Sequence, residues 1–540
     1  MRAHEAIPQL VGRSGATKVF SMLGGTNVAW LAYGVEHGYF DLVKTRHEES
    51  SGHAAYGYSR STGRLGVFTV TQGPGFANSI NALTVAQKSH VPVLLIVGES
   101  PATGSHFTEQ NIDQRAHTEA IGAGFHHVLA ADELERRFRE AVRAAFWNGC
   151  PQVLSIADSV VDAEGIQLSD DPIEGVRPTN QPDFDAVAVA VDALENAKRP
   201  LILAGQGAVL ADSRAELVEL ADLVGARVAN TLGANCFFAG HPHDLGLCGT
   251  WSPEPARECL AMSDAVIAFG ASLNEKTLGE GYLFGNAKIF QCEIDTSRPF
   301  KASQPEYGLV GDARQAALAI ITEWKRRGLE ARPVQGETPS MEEIRDALMK
   351  VDMKPSVNQL LDLRRIYSLM DRKLPRSRIV ITDSGSSLGT LPNLIGAPDA
   401  KHWLVGRSYG SVGLGLGIAI GAAAAHPEAK VAAFIGDGGF MMALSALDSF
   451  RLYGMNNVFI GIMNNEAYGS EIKCLDAAGM PRDIVFQDLP DIPTLAAAYG
   501  AVGSVVRTYD ELTALEICTD RIQIVDFRTD PDILGRTVFS

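Results

Sequence analysis

Two short apolar segments joined by a glycine-rich turn and a helical pattern constrain this chain most. Lys430–Ile435 and Asn457–Ile462 have the length and composition of buried strands, and about twenty residues with a helical pattern lie between them. A strand, a helix and a second strand in this order usually form a right-handed crossover with parallel strands. The carboxyl ends of both strands then share one edge of a sheet, which is where open α/β sheets bind ligands. That edge carries Gly436-Asp437-Gly438-Gly439 and Asn464-Asn465.

The residues at this edge suit a metal ion and a phosphate group. Gly438 and Gly439 let the backbone approach an anion at the start of a helix, where free N–H groups and the helix dipole favour negative charge. Asp437 and an asparagine amide offer hard oxygen atoms, which Mg²⁺ or Ca²⁺ binds together with phosphate oxygens. The unit therefore predicts a metal-diphosphate site, and a purely structural Gly-Asp-Gly turn is the competing interpretation.

Length and composition exclude several classes of protein. The 540 residues are enough for three or four domains, and 46% of them are apolar. A net charge of −17 argues against a nucleic-acid partner, because binding phosphates requires basic patches. The seven cysteines form no Cys-x-x-Cys pair, and neither a signal peptide nor an apolar run of membrane-spanning length is visible. We expect a cytoplasmic enzyme that contacts neither nucleic acid nor membrane.

Strand-like apolar segments alternate with helical patterns in three successive sets. The sets cover residues 1–165, 182–335 and 356–540, and the stretches between them are rich in Asp, Pro, Gly or charged residues. This rhythm predicts three doubly wound α/β domains, each with a parallel sheet covered on both faces. Among the expected strands are Gly66–Val70, Val91–Val97, Pro200–Gly205, Ala265–Gly270 and Arg378–Thr382.

The distance between the Gly-Asp-Gly and Asn-Asn motifs, 25 residues from Gly439 to Met463, resembles the signature of thiamine-diphosphate (ThDP) enzymes. These are the acetolactate synthase, pyruvate decarboxylase and benzoylformate decarboxylase superfamily, whose three domains are pyrimidine-binding, central Rossmann-like and diphosphate-binding. The resemblance implies that Asp437 and Asn465 bind Mg²⁺ through their side chains and Ala467 binds it through its carbonyl, with Ca²⁺ as a substitute. Gly438, Gly439 and Tyr468 are included among the cofactor contacts.

A second motif, in the first domain, supports the same resemblance. Arg46-His47-Glu48 is followed by His53-Ala54-Ala55 and Gly57-Tyr58, as in ThDP enzymes. Without the resemblance, the segment is interpreted as the start of a helix, where the helix dipole favours carboxylates. The resemblance implies that Glu48 is the glutamate that shares a proton with the aminopyrimidine ring of the cofactor. Glu49 is its nearest competitor, and we assign it to a surface or subunit contact.

Two further segments of the third domain resemble cofactor-contacting segments of the family. Gly385, Ser386 and Ser387 follow the first strand of that domain, where relatives contact the diphosphate. The segment Gly410–Gly415 resembles the one whose backbone carbonyl meets the amino group of the pyrimidine, and Gly410 is among the expected cofactor contacts. Val412 is expected to be the apolar residue that bends the cofactor, although many relatives carry a larger side chain there.

The candidate substrate residues do not agree on one reaction. The Gly-Gly at Gly24-Gly25 looks like that of acetolactate synthases, whereas Glu471 stands where pyruvate-decarboxylase-like enzymes carry a glutamate used in proton transfer. Glu471 also has a structural interpretation, as an exposed residue on the helix after the metal loop. His106 and Gln110 are weak catalytic candidates. The full set of substrate-facing and catalytic candidates is Gly25, Thr26, Gln72, His106, Gln110 and Glu471.

The central domain contains half of a dinucleotide fingerprint. Gly205-Gln206-Gly207 follows a strand, but Leu210 occupies the place of the third glycine and no acidic residue follows at the expected distance. A structural turn is therefore the preferred interpretation. We expect no bound FAD or ADP here, although some relatives bind one in this domain.

The resemblance implies a ThDP- and Mg²⁺-dependent enzyme that makes or breaks a carbon-carbon bond next to a carbonyl. The first expectation is 2-oxo acid decarboxylation or acetolactate-synthase-like carboligation. The alternatives are a non-decarboxylating lyase or hydrolase acting on an acyloin or diketone, an oxidoreductase, and a catalytically silent ThDP-binding regulatory subunit. Because Glu48 and Asp437 lie in different domains, and relatives join these across subunits, the resemblance implies a homodimer with active sites at the interface, and we expect a homotetramer.

Overall fold

Three parallel sheets of six strands each form the framework of this computed structural model. The structure describes residues 1–99, 109–161, 163–295, 307–350, 360–406 and 408–531. Every strand pair in the three sheets is parallel, and helices cover both faces of the sheets. The prediction of three doubly wound α/β units is confirmed. The exact domain boundaries stay a prediction, because the sheets alone do not fix them.

The first and third sheets have the same topology. The first has the order β2-β1-β3-β4-β6-β5 and the third has the equivalent order β14-β13-β15-β16-β18-β17. The strands of the first sheet are β1 (Lys18–Ser21), β2 (Asp41–Lys44), β3 (Gly66–Val70), β4 (Val93–Glu99), β5 (Gly124–Val128) and β6 (Gln152–Ala157). Those of the third are β13 (Arg378–Thr382), β14 (Trp403–Val405), β15 (Lys430–Gly436), β16 (Val458–Asn464), β17 (Val502–Val506) and β18 (Gln523–Arg528).

The central sheet has a different order, β12-β11-β10-β7-β8-β9. Numbered from its own first strand, this is the 3-2-1-4-5-6 arrangement of dinucleotide-binding folds. Its strands are β7 (Pro200–Ala204), β8 (Arg227–Asn230), β9 (Asp244–Leu247), β10 (Ala265–Phe269), β11 (Lys288–Glu293) and β12 (Tyr307–Val310).

The helices alternate with the strands along the chain. The first unit contains α1 (Ala3–Arg13), α2 (Val28–Glu36), α3 (Glu48–Thr62), α4 (Pro74–Ala77), α5 (Ile80–Lys88), α6 (Gln114–Ala120), α7 (Leu134–Asn148) and α8 (Asp158–Val161). Next along the chain come α9 (Phe184–Asn196), α10 (Gln206–Leu210), α11 (Arg214–Val224), α12 (Glu254–Ala261), α13 (Ala313–Arg326) and α14 (Met341–Lys350). The last are α15 (Leu363–Lys373), α16 (Leu391–Leu394), α17 (Gly415–Ala425), α18 (Asp437–Met442), α19 (Leu447–Leu452), α20 (Gly469–Ala478), α21 (Ile492–Ala498) and α22 (Tyr509–Ala514).

The sequence predicted the central strands better than the edges. Gly66–Val70 and Arg378–Thr382 form strands with the expected bounds, whereas β4 begins two residues later than expected. Pro92 explains that difference, because proline has no N–H to donate to a neighbouring strand. Edge strands such as β12 and β17 are half-exposed, so they lack the continuous apolar run that reveals a buried strand.

Helix α14 lies in the stretch that the sequence suggested was a linker. Its Ile344 is buried in the same apolar cluster as Leu245, Leu260 and Leu283 of the central unit. The segment is therefore packed against the central unit rather than extended. Within the described parts of the chain, no helix is both long and apolar enough to cross a bilayer.

The tightest contact between the first and third units is the packing of α3 against α17. Nearly all of α3 is buried, and α17 is apolar on every side, which is typical of a helix enclosed in a core. Small residues bring the two backbones together: a Cβ atom added at Gly421 would lie 1.9 Å from the Ala54 carbonyl oxygen, and one at Gly57 would lie 2.3 Å from that of Ile418. Apolar residues of both units belong to one continuous core.

This packing predicts a large cost for adding a single methyl group. We expect Gly421→Ala to lower the free energy of unfolding by about 1–3 kcal/mol or more, because a backbone oxygen cannot rotate away as a side chain can. Gly285→Ala is the matched control, since a Cβ atom there meets no heavy atom within 4 Å. Urea unfolding of the two variants compares them. Equal midpoints would show that α3 and α17 do not pack this way in solution.

Candidate active site

The carboxyl edge of the third sheet gathers the predicted cofactor residues. The strand order reverses between β13 and β15, and ligands bind at such switch points in doubly wound sheets. Asp383 follows β13, Asp437 follows β15, and Asn464 ends β16. Strands β15 and β16 pair in register from Val431 with Val458 onward, as the crossover prediction requires.

Asp437 is the buried carboxylate at the centre of this edge. It is the first residue of α18, so Gly438 and Gly439 lie in the first helical turn rather than in a separate turn before the helix. Its Oδ1 accepts a hydrogen bond from the Gly438 N–H at 2.7 Å, and its buried Oδ2 has no partner among the described residues. A buried carboxylate oxygen without a partner is costly, and a metal ion would satisfy it.

The surroundings of Asp437 also affect its protonation. Burial raises the pKa of Asp437 to about 6, against the opposing effect of nearby backbone N–H groups, including those of Glu466 and Ala467. Those two N–H groups belong to the turn that follows β16. The structure therefore brings Asp437 beside the segment that carries Asn465, as the predicted metal site requires.

The donor set at this turn fits a hard divalent cation. Asn465 is half-buried, and its Oδ1 accepts a hydrogen bond from the Ala467 N–H at 3.2 Å, which orients the amide. Within the described ranges, no three His, Cys, Asp or Glu side chains cluster as metal ligands. The predicted set differs from such a cluster, since it combines one carboxylate, one amide and one backbone carbonyl. All three are oxygen donors, as Mg²⁺ prefers.

Two glycines of α18 have close side-chain neighbours. A Cβ atom at Gly438 would lie 2.8 Å from Cε1 of Tyr468, and one at Gly439 would lie 2.9 Å from Oδ2 of Asp383 and 3.2 Å from Cγ1 of Val412. Tyr468 and Val412 therefore border the glycine turn, where both were predicted to contact the cofactor. Both side chains are exposed in the single chain.

Asp383 is a site residue that the sequence did not single out. Its Oδ1 accepts from the Ser384 N–H at 2.8 Å and its Oδ2 accepts from the Gly413 N–H at 2.7 Å. Burial raises the pKa of Asp383 to about 6, although N–H groups at the start of α17 oppose this. The carboxylate fastens the end of β13 to the segment that presents Val412. Its position directly after a buried strand was the available signal.

The other predicted cofactor residues of the third unit lie on the same edge. Gly385 has a φ of 133°, a conformation that favours glycine, and it is exposed. Ser386 and Ser387 begin a short 3₁₀ helix, but their side chains lie outside what the structure describes. Gly410 is exposed with a φ of 89°, two residues before Val412.

Glu48 is half-buried in the first turn of α3. Its Oε2 accepts a hydrogen bond from Asn78 Nδ2 at 3.1 Å. The adjacent Glu49 accepts from Asn81, and Asn81 Oδ1 accepts from the Ser411 hydroxyl at 2.7 Å. The start of α3 is thus connected to the Gly410–Val412 segment within one chain, through Glu49 rather than through Glu48.

The first-unit substrate candidates share the carboxyl edge of the first sheet. A Cβ atom at Gly98 would lie 2.7 Å from Cβ of Thr26, and one at Gly73 would lie 2.1 Å from the Gln110 carbonyl oxygen. Gly25 precedes Thr26 and is exposed, and Gln72 precedes Gly73. A Cβ atom at Gly24 would lie 2.6 Å from Cβ of Thr71, so the loop of Gly25 and Thr26 also meets the loop of Gln72. His106 falls outside the described residues.

Glu471 belongs to the third unit instead. It lies in the first turn of α20, directly after the metal-loop candidates, and it is exposed. The structure thus leaves its side chain free to face a pocket mouth or solvent, and its catalytic role stays a prediction.

A cleft of about 1220 Å³ opens at the carboxyl edge of the central sheet, between the central and first units. Gly205 and Gly207 lie at this edge, and added Cβ atoms would come within 2.2 Å of the Gly270 oxygen and 2.7 Å of the Gly270 Cα, respectively. Backbone packing therefore explains both glycines without a nucleotide. The expectation that no FAD or ADP binds here stays a prediction.

Comparison with known families agrees with this geometry. Three family models match the chain in order: the thiamine pyrophosphate enzyme N-terminal TPP-binding domain over residues 1–117, the central domain over 187–320, and the C-terminal TPP-binding domain over 383–517. The chain belongs to the ThDP-dependent enzymes of the acetolactate synthase and pyruvate decarboxylase superfamily.

Several similar proteins are named acetolactate synthase or its large subunit. A probable acetolactate synthase large subunit of Methanococcus aeolicus is 28% identical over 96% of this chain and 90% of its own length. An acetolactate synthase of Arthrospira platensis is 29% identical over 84% of this chain and 80% of its own length. The acetolactate synthase large subunit of Corynebacterium glutamicum is 27% identical over 91% of this chain and 80% of its own length.

The raised pKa of Asp383 predicts a pH-dependent effect of Asp383→Asn. Burial raises the folded-state pKa above the unfolded-state value, so the stability that this group contributes is lost as pH rises toward 6. Asparagine cannot ionise. Between about pH 5 and about pH 7.5, we expect the wild type to lose about 1 kcal/mol of unfolding free energy relative to the variant. Urea unfolding at both pH values measures this, and a pH-independent difference would contradict it.

Proposed function

We propose that this chain is a ThDP- and Mg²⁺-dependent carboligase acting on 2-oxo acids, in the manner of acetolactate synthase. The observation that carries the proposal is the third-sheet edge: the buried, unpartnered Asp437 Oδ2 beside the turn that carries Asn465. Relatives named acetolactate synthase that align over most of this chain support the choice of reaction. Family membership supports ThDP as the cofactor.

The proposed functional residues lie at the carboxyl edges of two sheets, the third and the first. Asp437, Asn465 and the Ala467 carbonyl would hold Mg²⁺, whose charge would offset that of a diphosphate beside Gly438 and Gly439. Bound ThDP supplies a carbon nucleophile and an electron sink for the carbanion that remains when a 2-oxo acid loses CO₂.

The proton and the orientation come from other residues. Glu48 would exchange a proton with the aminopyrimidine nitrogen, and Asn78, which donates to Glu48 Oε2, limits the freedom of that carboxylate. Gly410 would accept a hydrogen bond through its carbonyl, and Val412 would supply an apolar contact. The Asp383 carboxylate holds this segment through the Gly413 N–H.

A simple decarboxylase is the second candidate. Glu471 is exposed one helical turn after the metal-loop residues, where it could protonate a carbanion instead of leaving it to attack a second carbonyl. The third candidate is a non-decarboxylating lyase or hydrolase that acts on an acyloin or a diketone. The products formed from 2-oxo acids distinguish these functions.

We also propose that the chain works as a homodimer, with a homotetramer as a further assembly. Exposed apolar side chains border the candidate site: Ile484 is 81% exposed and Met442 is 65% exposed, and Tyr468 and Phe486 lie nearby. An exposed apolar patch of this kind marks a surface for association. The resemblance to ThDP enzymes implies that this association brings Glu48 of one chain close to Asp437 of another.

Product analysis tests the carboligase proposal. With pyruvate, ThDP and Mg²⁺, we expect CO₂ release together with an acetohydroxy acid, and a fuller screen includes longer 2-oxo acids. Protein stripped of Mg²⁺ by a chelator is the control and should be inactive until Mg²⁺ is restored. CO₂ accompanied only by aldehyde would support the decarboxylase instead. No CO₂ from any 2-oxo acid would rule out both.

Glu48→Gln tests the proposed proton exchange. Because general acid-base groups contribute about 100-fold or more, we expect turnover to fall by at least that factor while ThDP binding, followed by circular dichroism, persists. The matched control is Glu49→Gln, which changes the adjacent carboxylate in the same way and should retain turnover within a few-fold. Loss of turnover in the control alone would transfer the role to Glu49.

A further inference from the structure

The turn that presents the metal-ligand candidates is strained at one residue. Glu466 lies between Asn465 and Ala467 and has a φ of 53°, in the left-handed region that non-glycine residues rarely occupy. Such a conformation persists only where the surrounding structure enforces it. The contacts of Glu466 therefore decide how Asn465 and Ala467 are presented.

The backbone of Glu466 is held on two sides. Its N–H donates to Asn464 Oδ1 at 3.0 Å, and its carbonyl accepts from the Gln487 N–H at 2.8 Å. These bonds fix the turn relative to the end of β16 and to the segment that follows α20. They do not explain why the residue at this position is a glutamate.

The side chain of Glu466 forms an ion pair with Arg528, the last residue of β18. Strand β18 is the neighbour of β16, and Arg528 is paired in register with Asn464. The guanidinium thus reaches the turn from an adjacent strand more than 60 residues later in the chain. It ties the strained residue to the rigid sheet.

Arg528 is itself held by a buried carboxylate. Its Nε lies 2.9 Å from Oδ2 of Asp526, which is fully buried. The guanidinium is 20% exposed, so the pair is shielded from water much more than a surface ion pair. A surface ion pair would contribute little, but here one arginine connects a buried anion to a strained turn.

We propose that Glu466 and Arg528, backed by Asp526, are positioning residues that hold the Asn465–Ala467 turn in the conformation that binds Mg²⁺. They contact the turn and not the metal ion. This inference rests on the proposed function, because it assumes that Asp437, Asn465 and the Ala467 carbonyl bind the ion. Partners behind metal ligands commonly set metal affinity by their effect on ligand orientation.

Glu466→Gln tests this with little risk to the fold, because the Glu466 side chain is half-exposed. Chelator-treated protein is titrated with Mg²⁺ in the presence of ThDP, and binding is followed by circular dichroism. We expect the apparent Kd for Mg²⁺ to rise about tenfold, with turnover near the wild-type value at saturating Mg²⁺. The melting temperature of the metal-free protein should not change.

Two further variants separate positioning from general stability. Arg528→Lys keeps a positive charge between the two carboxylates and should retain most of the Mg²⁺ affinity that Arg528→Met loses. Asp476→Asn is the matched control for Glu466→Gln. Asp476 lies on α20, and its carboxylate, of similar exposure, forms an ion pair with Arg482 beyond the end of that helix. Its removal should leave the apparent Kd unchanged.

The outcomes distinguish this inference from the proposed function. If the wild type binds Mg²⁺ with ThDP and Glu466→Gln binds it equally well, the positioning role is wrong. A lower melting temperature of metal-free Glu466→Gln, in proportion to its loss of affinity, would also overturn the role, because it would indicate a general loss of stability. A wild type that binds no Mg²⁺ with ThDP would instead remove the proposed function, and this inference with it.

Discussion

The close backbone contact of α3 with α17 joins the first and third units and determines how their sheets face each other. Each helix begins at a predicted cofactor-binding segment, Glu48 in the first unit and Val412 just before α17 in the third. The contact requires small residues, since a side chain at Gly57 or Gly421 would meet a carbonyl oxygen. Glycine at these positions buries no side chain of its own, but it allows the close approach that joins the first and third sheets in one core.

A second constraint is the burial of acidic groups at the carboxyl edge of the third sheet. Asp383, Asp437 and Asp526 are each less than 4% exposed. Burying a carboxylate is expensive unless hydrogen bonds, a proton or a cation compensate for the lost water. Asp383 is compensated by N–H groups of the α17 segment, and Asp526 forms an ion pair with Arg528. Asp437 has a buried oxygen without a hydrogen-bond partner and forms no ion pair with a described residue. In the described parts of the chain, the absence of a positively charged side chain beside Asp437 favours this residue, and not Asp526, as the metal-ligand candidate.

One sheet topology carries two different sets of candidate residues in this chain. The first and third sheets share their strand order, and both collect candidate residues at the carboxyl edge. In the third sheet that edge carries buried carboxylates and an amide, whose oxygen atoms suit a cation. In the first sheet it carries the substrate candidates Gly25, Thr26 and Gln72, whose side chains bear no charge. The fold places the residues, and their side chains decide the chemistry.

Much of the fold followed from local patterns. Continuous apolar runs revealed the central strands, because a strand buried on both faces needs no polar residues. The half-exposed edge strands β12 and β17 and the helix α14 gave no comparable signal, since their burial depends on neighbours distant in the sequence. The Gly-Asp-Gly motif was recognised in the sequence. The start of α18 at Asp437 was not predicted, because helix boundaries depend on capping contacts.

The class of fold and the family followed from local patterns of residue type, namely the spacing of Gly-Asp-Gly and Asn-Asn and the Arg-His-Glu motif. The distant groups that support these motifs became visible only in the folded chain. Asp383 reaches Gly413 30 residues later, and Arg528 reaches Glu466 across two neighbouring strands. Such contacts depend on which strands become neighbours, and β16 and β18 are neighbours in the sheet although β17 lies between them in the chain.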